Sequence, residues 1–246
     1  MRNTLDSLVT DESPMVRRAV AAAIPDLVRV MAPDYLMSVL VNLFKKLQQD
    51  DQESVRVVAV ENAVYIAKAL QQTGIDDANH QHVVPVIRSA VVDRSWRVKM
   101  AIAKDYTELS LAVLGDRGQR SNDILSLDLL PSFIALLQDN EGEVRTAACK
   151  NFASYCDVVG PTVFSQHLIP AAHALAPDTV PSVRLALSSA CMDLAPKLGQ
   201  DLFVRNLVPL LERFLSDPSV PDTKVGVRGM LRVCLLGDAD DVLFLL

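Results

Sequence analysis

Apolar residues recur along this chain with the 3.6-residue period of an α-helix, and the same apolar stripe returns several times. Each stripe has hydrophobic residues at offsets of 0, 3 or 4, 7 or 8, and 11 from a valine. These valines stand about 40 residues apart, a spacing typical of stacked helical repeats. We therefore expect an all-α fold, an α-solenoid built from pairs of helices. The stripes begin at Val16, Val55, Val98, Val144 and Val183.

A charged turn precedes every stripe. An aspartate stands five residues before the valine, and a basic residue directly follows the valine. We interpret these residues as structural: the carboxylates accept backbone N–H groups where the second helix of each pair begins, and the basic residues pair with the carboxylates. This predicted turn ladder consists of Asp11 with Arg17, Asp50 with Arg56, Asp93 with Lys99, Asp139 with Arg145 and Asp178 with Arg184, and a looser copy runs from Asp217 to Lys224.

The first helix of each pair carries a different mark, a proline eight residues before the turn aspartate. A proline inside a helix removes one backbone hydrogen bond, so we expect a bend at the same place in successive repeats. Asn42 occupies this position in one repeat and departs from the pattern. The prolines are Pro85, Pro131, Pro170 and Pro209.

The whole chain, residues 1–246, is predicted to be a single repeat array and a fragment of a longer one. Two polar, glycine-bearing insertions, 72–79 and 115–123, lengthen two of the intervals. The predicted repeats are 1–31 (partial), 32–71, 78–114, 123–159, 161–199, 200–237 and 238–246 (partial).

Composition narrows the functional classes. The formal net charge of −6 gives little support to a nucleic-acid surface, so no nucleic-acid partner is expected. No apolar run approaches the roughly 18 residues of a membrane span, so we expect no membrane partner either. The cysteines are far from any metal-binding spacing and are interpreted as small buried hydrophobes, which favours a cytoplasmic location and leaves a nuclear one open. They are Cys149, Cys156, Cys191 and Cys234.

Candidate catalytic chemistry is sparse. The histidines do not share a helix face, none is followed by glutamate, and no phosphate-binding loop or nucleophile elbow occurs. The sequence therefore predicts no enzyme, no metal site and no cofactor. The histidines are His80, His82, His167 and His173.

Trp96 is the single tryptophan and stands in the third charged turn, where other repeats have Pro14, Glu53, Gly142 or Pro181. An aromatic side chain on an exposed turn can anchor a partner, but it can equally pack locally, and the sequence leaves both interpretations open. Ser13 and Ser95 are predicted to cap the second helices that follow them.

The charged turns and the Leu-x-Pro first helices resemble HEAT repeats. Three stretches are more specifically similar to the scaffolding (A) subunit of protein phosphatase type 2A, in its middle repeats: Asp11–Ala19 (DESPMVRRA), Asp51–Glu61 (DQESVRVVAVE) and Ser95–Leu109 (SWRVKMAIAKDYTEL). The similarity is strong up to about Leu109 and becomes generic after about Cys156.

This resemblance implies a non-catalytic scaffold whose turns hold a regulatory subunit of a serine/threonine phosphatase. The catalytic subunit would bind through repeats that we expect to lie outside this chain. Carried over to matching positions, the implied regulatory-subunit contacts are Pro14, Arg17, Arg18, Ser95, Trp96 and Arg97.

Two other functions stay open at this stage. Another HEAT-repeat adaptor, such as a nuclear-transport cargo carrier, would suit the acidic charge but does not account for Ser95, Trp96 and Arg97. An enzyme built on helical repeats, such as a metal hydroxylase or a DNA glycosylase, is disfavoured by the histidine pattern and the net charge.

Overall fold

The structure is a computed structural model that describes residues 2–75, 77–115 and 119–217. Within these ranges the regular elements are all helices, and no strand occurs. The all-α fold expected from the apolar stripes is therefore confirmed. The looser turn copy beyond Asp217, Cys234 and the predicted partial repeat 238–246 lie outside the described residues.

The helices of residues 2–115 come first in chain order. They are α1 (Arg2–Val9), α2 (Pro14–Ala22), α3 (Ile24–Val30), α4 (Pro33–Tyr35), a first π-helical segment (Leu36–Leu40), α5 (Val41–Gln48), α6 (Glu53–Glu61), α7 (Ala63–Gln72), α8 (Ala78–His82), α9 (Val84–Val91), α10 (Trp96–Lys104) and α11 (Tyr106–Leu114).

The helices of residues 119–217 follow. They are α12 (Gln119–Ile124), a second π-helical segment (Leu125–Leu129), α13 (Leu130–Leu137), α14 (Gly142–Lys150), α15 (Phe152–Val159), α16 (Pro161–His167), α17 (Ile169–Leu175), α18 (Pro181–Leu202), a third π-helical segment (Phe203–Leu207) and α19 (Val208–Leu215).

The chain forms two compact units, residues 1–136 and 137–246. In the first unit α6 packs between α2 and α10, and α7 packs between α3 and α11. In the second unit α14 and α15 both pack against α18. Equivalent helices of successive repeats therefore lie side by side within each unit, which is the packing of a repeat stack.

The apolar stripes form the core of each unit. Four of the five predicted first positions have no more than 1% of their surface exposed, because neighbouring helices cover them. Val16, the first of the five, is half-buried. The four buried valines are Val55, Val98, Val144 and Val183.

Each stripe predicts one second helix, but in four repeats the structure divides it into two segments at a single residue. At Asn62 the backbone leaves the helical region, with ψ near 1°, and the side-chain Nδ2 donates to the carbonyls of Ala21 and Val58, both at 2.9 Å. At Ala23 the division precedes Pro25, which has no N–H to continue the helix. Asp105 and Asn151 divide the other two, whereas α18 is continuous.

The first helices are irregular at each proline position where a bend was predicted. The helix is interrupted two residues before Pro85 and Pro170, and a π-helical segment ends two residues before Pro131 and Pro209. Asn42 is not the exception that the sequence suggested. A π-helical segment precedes it as well, and its Nδ2 donates to the carbonyl of Ser38 at 3.0 Å, so a side chain other than proline accompanies the same irregularity.

The predicted caps differ from each other. Ser95 Oγ accepts a hydrogen bond from the backbone N–H of Arg97 at 3.2 Å, which confirms its capping role at α10. Ser13 stands directly before α2, but its side chain makes no capping hydrogen bond. The carboxylate of Asp11 accepts the backbone N–H of Ser13 at 2.8 Å, the same turn bond that Asp93 makes to Ser95.

Candidate functional site: turn ladder and turn groove

Each turn aspartate closes its own turn. Asp50 Oδ1 accepts the backbone N–H of Gln52 at 2.9 Å, and Asp93 Oδ1 accepts that of Ser95 at 2.8 Å. Asp139 and Asp178 make the same bond, at 2.9 and 2.8 Å, to the residue two positions later. A short polar side chain that accepts from the backbone two residues on holds a tight turn without regular secondary structure.

The arginines link one turn to the next. Arg56 Nη1 donates to the carbonyl of Asp50 in its own turn at 2.9 Å, while Nε and Nη2 donate to the two carboxylate oxygens of Asp93 at 2.9 and 3.0 Å. This bidentate arrangement fixes both the distance and the orientation of the two turns. Three more arginines repeat it, with the pairs Arg17–Asp50, Arg145–Asp178 and Arg184–Asp217.

Each of the four arginine–aspartate pairs lies within one unit. Arg17–Asp50 and Arg56–Asp93 belong to the first unit, and Arg145–Asp178 and Arg184–Asp217 belong to the second. Four of the five basic residues in the predicted set are arginines, and each of them contacts the aspartate of the following repeat rather than only its own turn.

The ladder keeps its carboxylates ionised. Burial by itself raises the pKa of Asp93, but the hydrogen bonds from Arg56 and from the backbone of Ser95 outweigh it and hold the pKa below its ordinary value. The same balance lowers the pKa of Asp50 and of Asp178. The hydrogen bond to Asp93 in turn raises the pKa of Arg56.

A groove of about 470 Å³ lies beside the ladder in the first unit, across the starts of α2, α6 and α10. We call it the turn groove. Its sides are partly apolar and partly charged, as expected of a surface that holds another protein segment. Its apolar residues are Pro14, Met15, Val57 and Val58; Ser54 is polar, and its charged residues are Arg18, Glu53, Glu61 and Arg97.

Glu53 connects the groove to the following turn. Its Oε2 accepts a hydrogen bond from Ser95 Oγ at 2.8 Å, and its Oε1 accepts one from Arg97 Nη1 at 3.1 Å. The bond from Ser95, and then that from Arg97, lowers the pKa of Glu53. The guanidinium of Arg97 also lies 4.7 Å from the centre of the Trp96 ring, so its position is fixed from two sides.

The structure brings three of the six predicted partner contacts together, because Pro14, Arg18 and Arg97 all line the turn groove. The other three are not among its lining residues. Arg17 belongs to the ladder, Ser95 is buried against Glu53, and Trp96 is half-buried beneath Arg97.

Six of the nine groove residues were not predicted as partner contacts from the sequence, and Met15 and Glu53 are two of them. Met15 has 82% of its surface exposed, and it stands just before Val16, where the 3.6-residue period places a side chain away from the stripe. Glu53 stands out in the sequence only as a turn residue equivalent to Trp96. This equivalence to Trp96 is the one feature of the sequence that could have identified Glu53 as a groove residue. It places Glu53 at the start of a second helix, facing the next turn.

Other reactive groups are buried or dispersed. Burial raises the pKa of the Cys149 thiol to about 12 and that of Cys156 to about 11, and it also raises the pKa of Cys191. These three cysteines are buried and unpaired, which confirms their interpretation as small hydrophobes.

Within the described ranges, no three His, Cys, Asp or Glu side chains are grouped to hold a metal ion. None of the helices described is long and apolar enough to cross a membrane.

Within each unit, stacked helix pairs whose turns are joined by an aspartate–arginine ladder form an α-solenoid of the armadillo- or HEAT-like class. Two solved structures share the fold. An engineered protein is 16% identical with a TM-score of 0.58, and the match covers 95% of this chain and 96% of that one. A designed armadillo repeat protein is 15% identical with a TM-score of 0.58, covering 95% of this chain and all of that one (100%).

Sequence similarity points to a narrower group of proteins than the shared fold does. Residues 122–199 match the PPP2R1A-like HEAT repeat family. The chain is 30% identical over 113 residues to the regulatory A subunit of protein phosphatase PP2A from Schizosaccharomyces pombe, covering 46% of this chain and 19% of the relative. It is 34% identical over 104 residues to the beta isoform of the 65 kDa regulatory A subunit of human serine/threonine-protein phosphatase 2A. This match covers 41% of this chain and 17% of the relative.

These matches confirm the resemblance to the scaffolding (A) subunit of protein phosphatase 2A. The chain spans less than a fifth of the length of either relative. The family match begins after the three stretches that carried the resemblance, and it includes residues after Cys156, where the sequence by itself offers only the register of the repeats.

Proposed function

We propose that this chain is a non-catalytic scaffold whose turns hold a regulatory subunit of a serine/threonine protein phosphatase. The observation that carries the proposal is the turn groove, which gathers Pro14, Arg18 and Arg97 on one surface of the first unit. The similarity to the regulatory A subunits of two species supports the same role.

The ladder supports the scaffold function by fixing the positions of successive turns. Each arginine holds two successive turns by a bidentate contact, so the exposed residues beside those turns keep a constant spacing. A partner that contacts several turns at once gains affinity from each small contact, because the later contacts form within a complex that already exists. Prior ordering of the turns also lowers the entropy lost on binding.

Trp96 contributes to this surface mainly through Arg97. Its ring is half-buried and lies under the guanidinium, which also bonds to Glu53. Removal of the ring would leave Arg97 held from one side only. We therefore assign Trp96 the role of a support that positions Arg97 at the groove.

The test is capture of a purified phosphatase 2A regulatory subunit by the immobilised chain. We expect Arg18→Ala to weaken capture about tenfold, a loss typical of one well-placed interface side chain. Trp96→Ala should weaken it by a similar factor, because Arg97 loses its support. Tyr65→Ala is the matched control, because Tyr65 is an aromatic residue with 46% of its surface exposed on α7, outside the groove.

Circular dichroism of the variants would show whether the helices are retained. Capture by both Arg18→Ala and Trp96→Ala at the level of the wild type and of Tyr65→Ala would contradict the proposal.

A further inference from the structure

The charges of the turn groove are not all neutralised within the protein. Arg97 is paired with Glu53, and Glu61 lies 3.7 Å from Lys104. Arg18 is exposed, and among the described residues no side chain accepts a hydrogen bond from it. The groove therefore presents one available cation, although the whole chain carries a net charge of −6.

The apolar side of the groove lies next to this cation. Met15, with 82% of its surface exposed, precedes Arg18 by one helical turn on α2, and Val57 faces the groove from α6. An exposed flexible methionine adapts to apolar side chains of different shape, so this side can accept more than one apolar partner residue. Cation and apolar surface are thus within reach of neighbouring residues of one bound segment.

We propose that the turn groove binds a protein segment in which an acidic side chain stands next to an apolar one. The carboxylate pairs with Arg18, and the apolar side chain covers Met15 and Val57. This inference rests on the proposed scaffold function and specifies the chemistry of the segment that the groove receives.

Glu53 is the specificity-determining residue in this arrangement. It occupies Arg97 through a hydrogen bond of 3.1 Å and places its own negative charge inside the groove. A second carboxylate on the bound segment would have to displace Glu53 from Arg97 and would be repelled by it. The groove therefore selects a segment with one acidic residue over a run of acidic residues.

The experiment is selection of random heptapeptides displayed on phage against the immobilised chain, followed by sequencing. We expect the wild type to enrich peptides with one Asp or Glu beside a Leu, Ile, Met or Phe. Arg18→Gln should abolish this preference and Arg18→Lys should retain it in part, because lysine keeps the charge but loses the bidentate geometry. Glu53→Gln removes the negative charge that neutralises Arg97 and repels a second carboxylate, so it should shift the selection towards peptides with two acidic residues.

Arg29→Gln is the matched control, since Arg29 is an exposed arginine of the same unit outside the groove, and it should select the same peptides as the wild type. For one enriched peptide, fluorescence anisotropy should show about tenfold weaker binding to Arg18→Gln, a loss expected of a charge-assisted pair. Enrichment of basic peptides, no enrichment on the wild type, or equal binding to Arg18→Gln would each overturn the inference.

The selection contains no phosphatase component, so the two proposals can fail separately. A groove that selects acidic–apolar peptides while the regulatory subunit is not captured would refute the scaffold function alone. Normal capture combined with no peptide preference would refute the segment chemistry alone.

Discussion

Arg56 is a charged side chain that the fold has almost completely enclosed. Only 6% of it is exposed, and the carboxylate of its partner Asp93 is 13% exposed. Burial of two charges is unfavourable unless their remaining hydrogen-bonding groups are also satisfied. Arg56 meets this condition, because Nη1 donates to the carbonyls of Asp50 and Asp51 while the other nitrogens bond to Asp93.

This environment predicts a large effect for one substitution. Arg56→Ala leaves the carboxylate of Asp93 enclosed without its counter-ion, so we expect the free energy of unfolding to fall by about 3 kcal/mol. Urea denaturation followed by circular dichroism measures the change.

Arg29→Ala is the control for that measurement. Arg29 and Asp26 form an i, i+3 pair whose side chains are 72% and 78% exposed, and such pairs contribute about 0.5 kcal/mol or less. If the two variants lose similar stability, the ladder does not stabilise the first unit in the way described.

At the scale of elements, the side-chain contacts between first helices include a titratable pair. Lys45 Nζ on α5 lies 2.9 Å from His82 Nδ1 on α8. Burial, and then the charge of Lys45, lowers the pKa of His82 below its ordinary value of about 6.5. The neutral ring is therefore favoured in the folded protein, where it can accept a hydrogen bond from the lysine.

The sign of the resulting pH dependence follows from proton linkage. Below about pH 6.5 the unfolded chain binds a proton at His82 more strongly than the folded protein does, so acidification through this range lowers stability. We expect Lys45→Gln to raise the pKa of His82, because it removes the neighbouring positive charge. A nuclear magnetic resonance titration of the His82 ring proton measures the shift.

The neighbouring lysine provides the comparison. Lys46 Nζ lies 3.3 Å from Asp6 and is not in the His82 contact, so Lys46→Gln should leave the His82 titration at its wild-type position. An equal response to both substitutions would show that the general charge of α5, rather than the direct contact, determines the pKa.

The pattern within one repeat predicts some features of its helices and misses others. The stripe beginning at Val55 predicted which face is buried, and the structure confirms it. The same stripe gave no sign that the helix divides at Asn62. At that division Asn62 donates to the carbonyl of Ala21, which belongs to the preceding repeat, so a pattern within one repeat could not reveal this contact.

Across the whole molecule, each unit is held together by contacts between neighbouring repeats. The ladder pair Arg17–Asp50 and the Glu53 contacts to Ser95 and Arg97 all join consecutive turns of the first unit. In a repeat stack, the free energy of unfolding is approximately the sum of the stability of each repeat and of the contacts between neighbouring repeats. A local defect should therefore have its largest effect on the adjacent repeats.

Hydrogen exchange tests this expectation. We expect Arg56→Ala to reduce amide protection most strongly in α6 and α10, which Arg56 and Asp93 connect, and much less in α16 and α17 of the second unit. Mass spectrometry of the exchanged peptides measures both regions in one sample. A uniform loss of protection over all described helices would indicate instead that the chain unfolds as one cooperative body.

The sequence by itself determined the helical class, the buried face of each second helix, and the recurrence of an aspartate and a basic residue in every turn. These features repeat with the period of the helix or of the array, so they can be recognised from spacing. Only the tertiary structure decided that Arg17 reaches Asp50 of the next repeat and that Glu53 links the groove to the following turn through Ser95. Those contacts join residues 33 and 42 positions apart, and their geometry depends on how neighbouring repeats stack, which no pattern within a single repeat specifies.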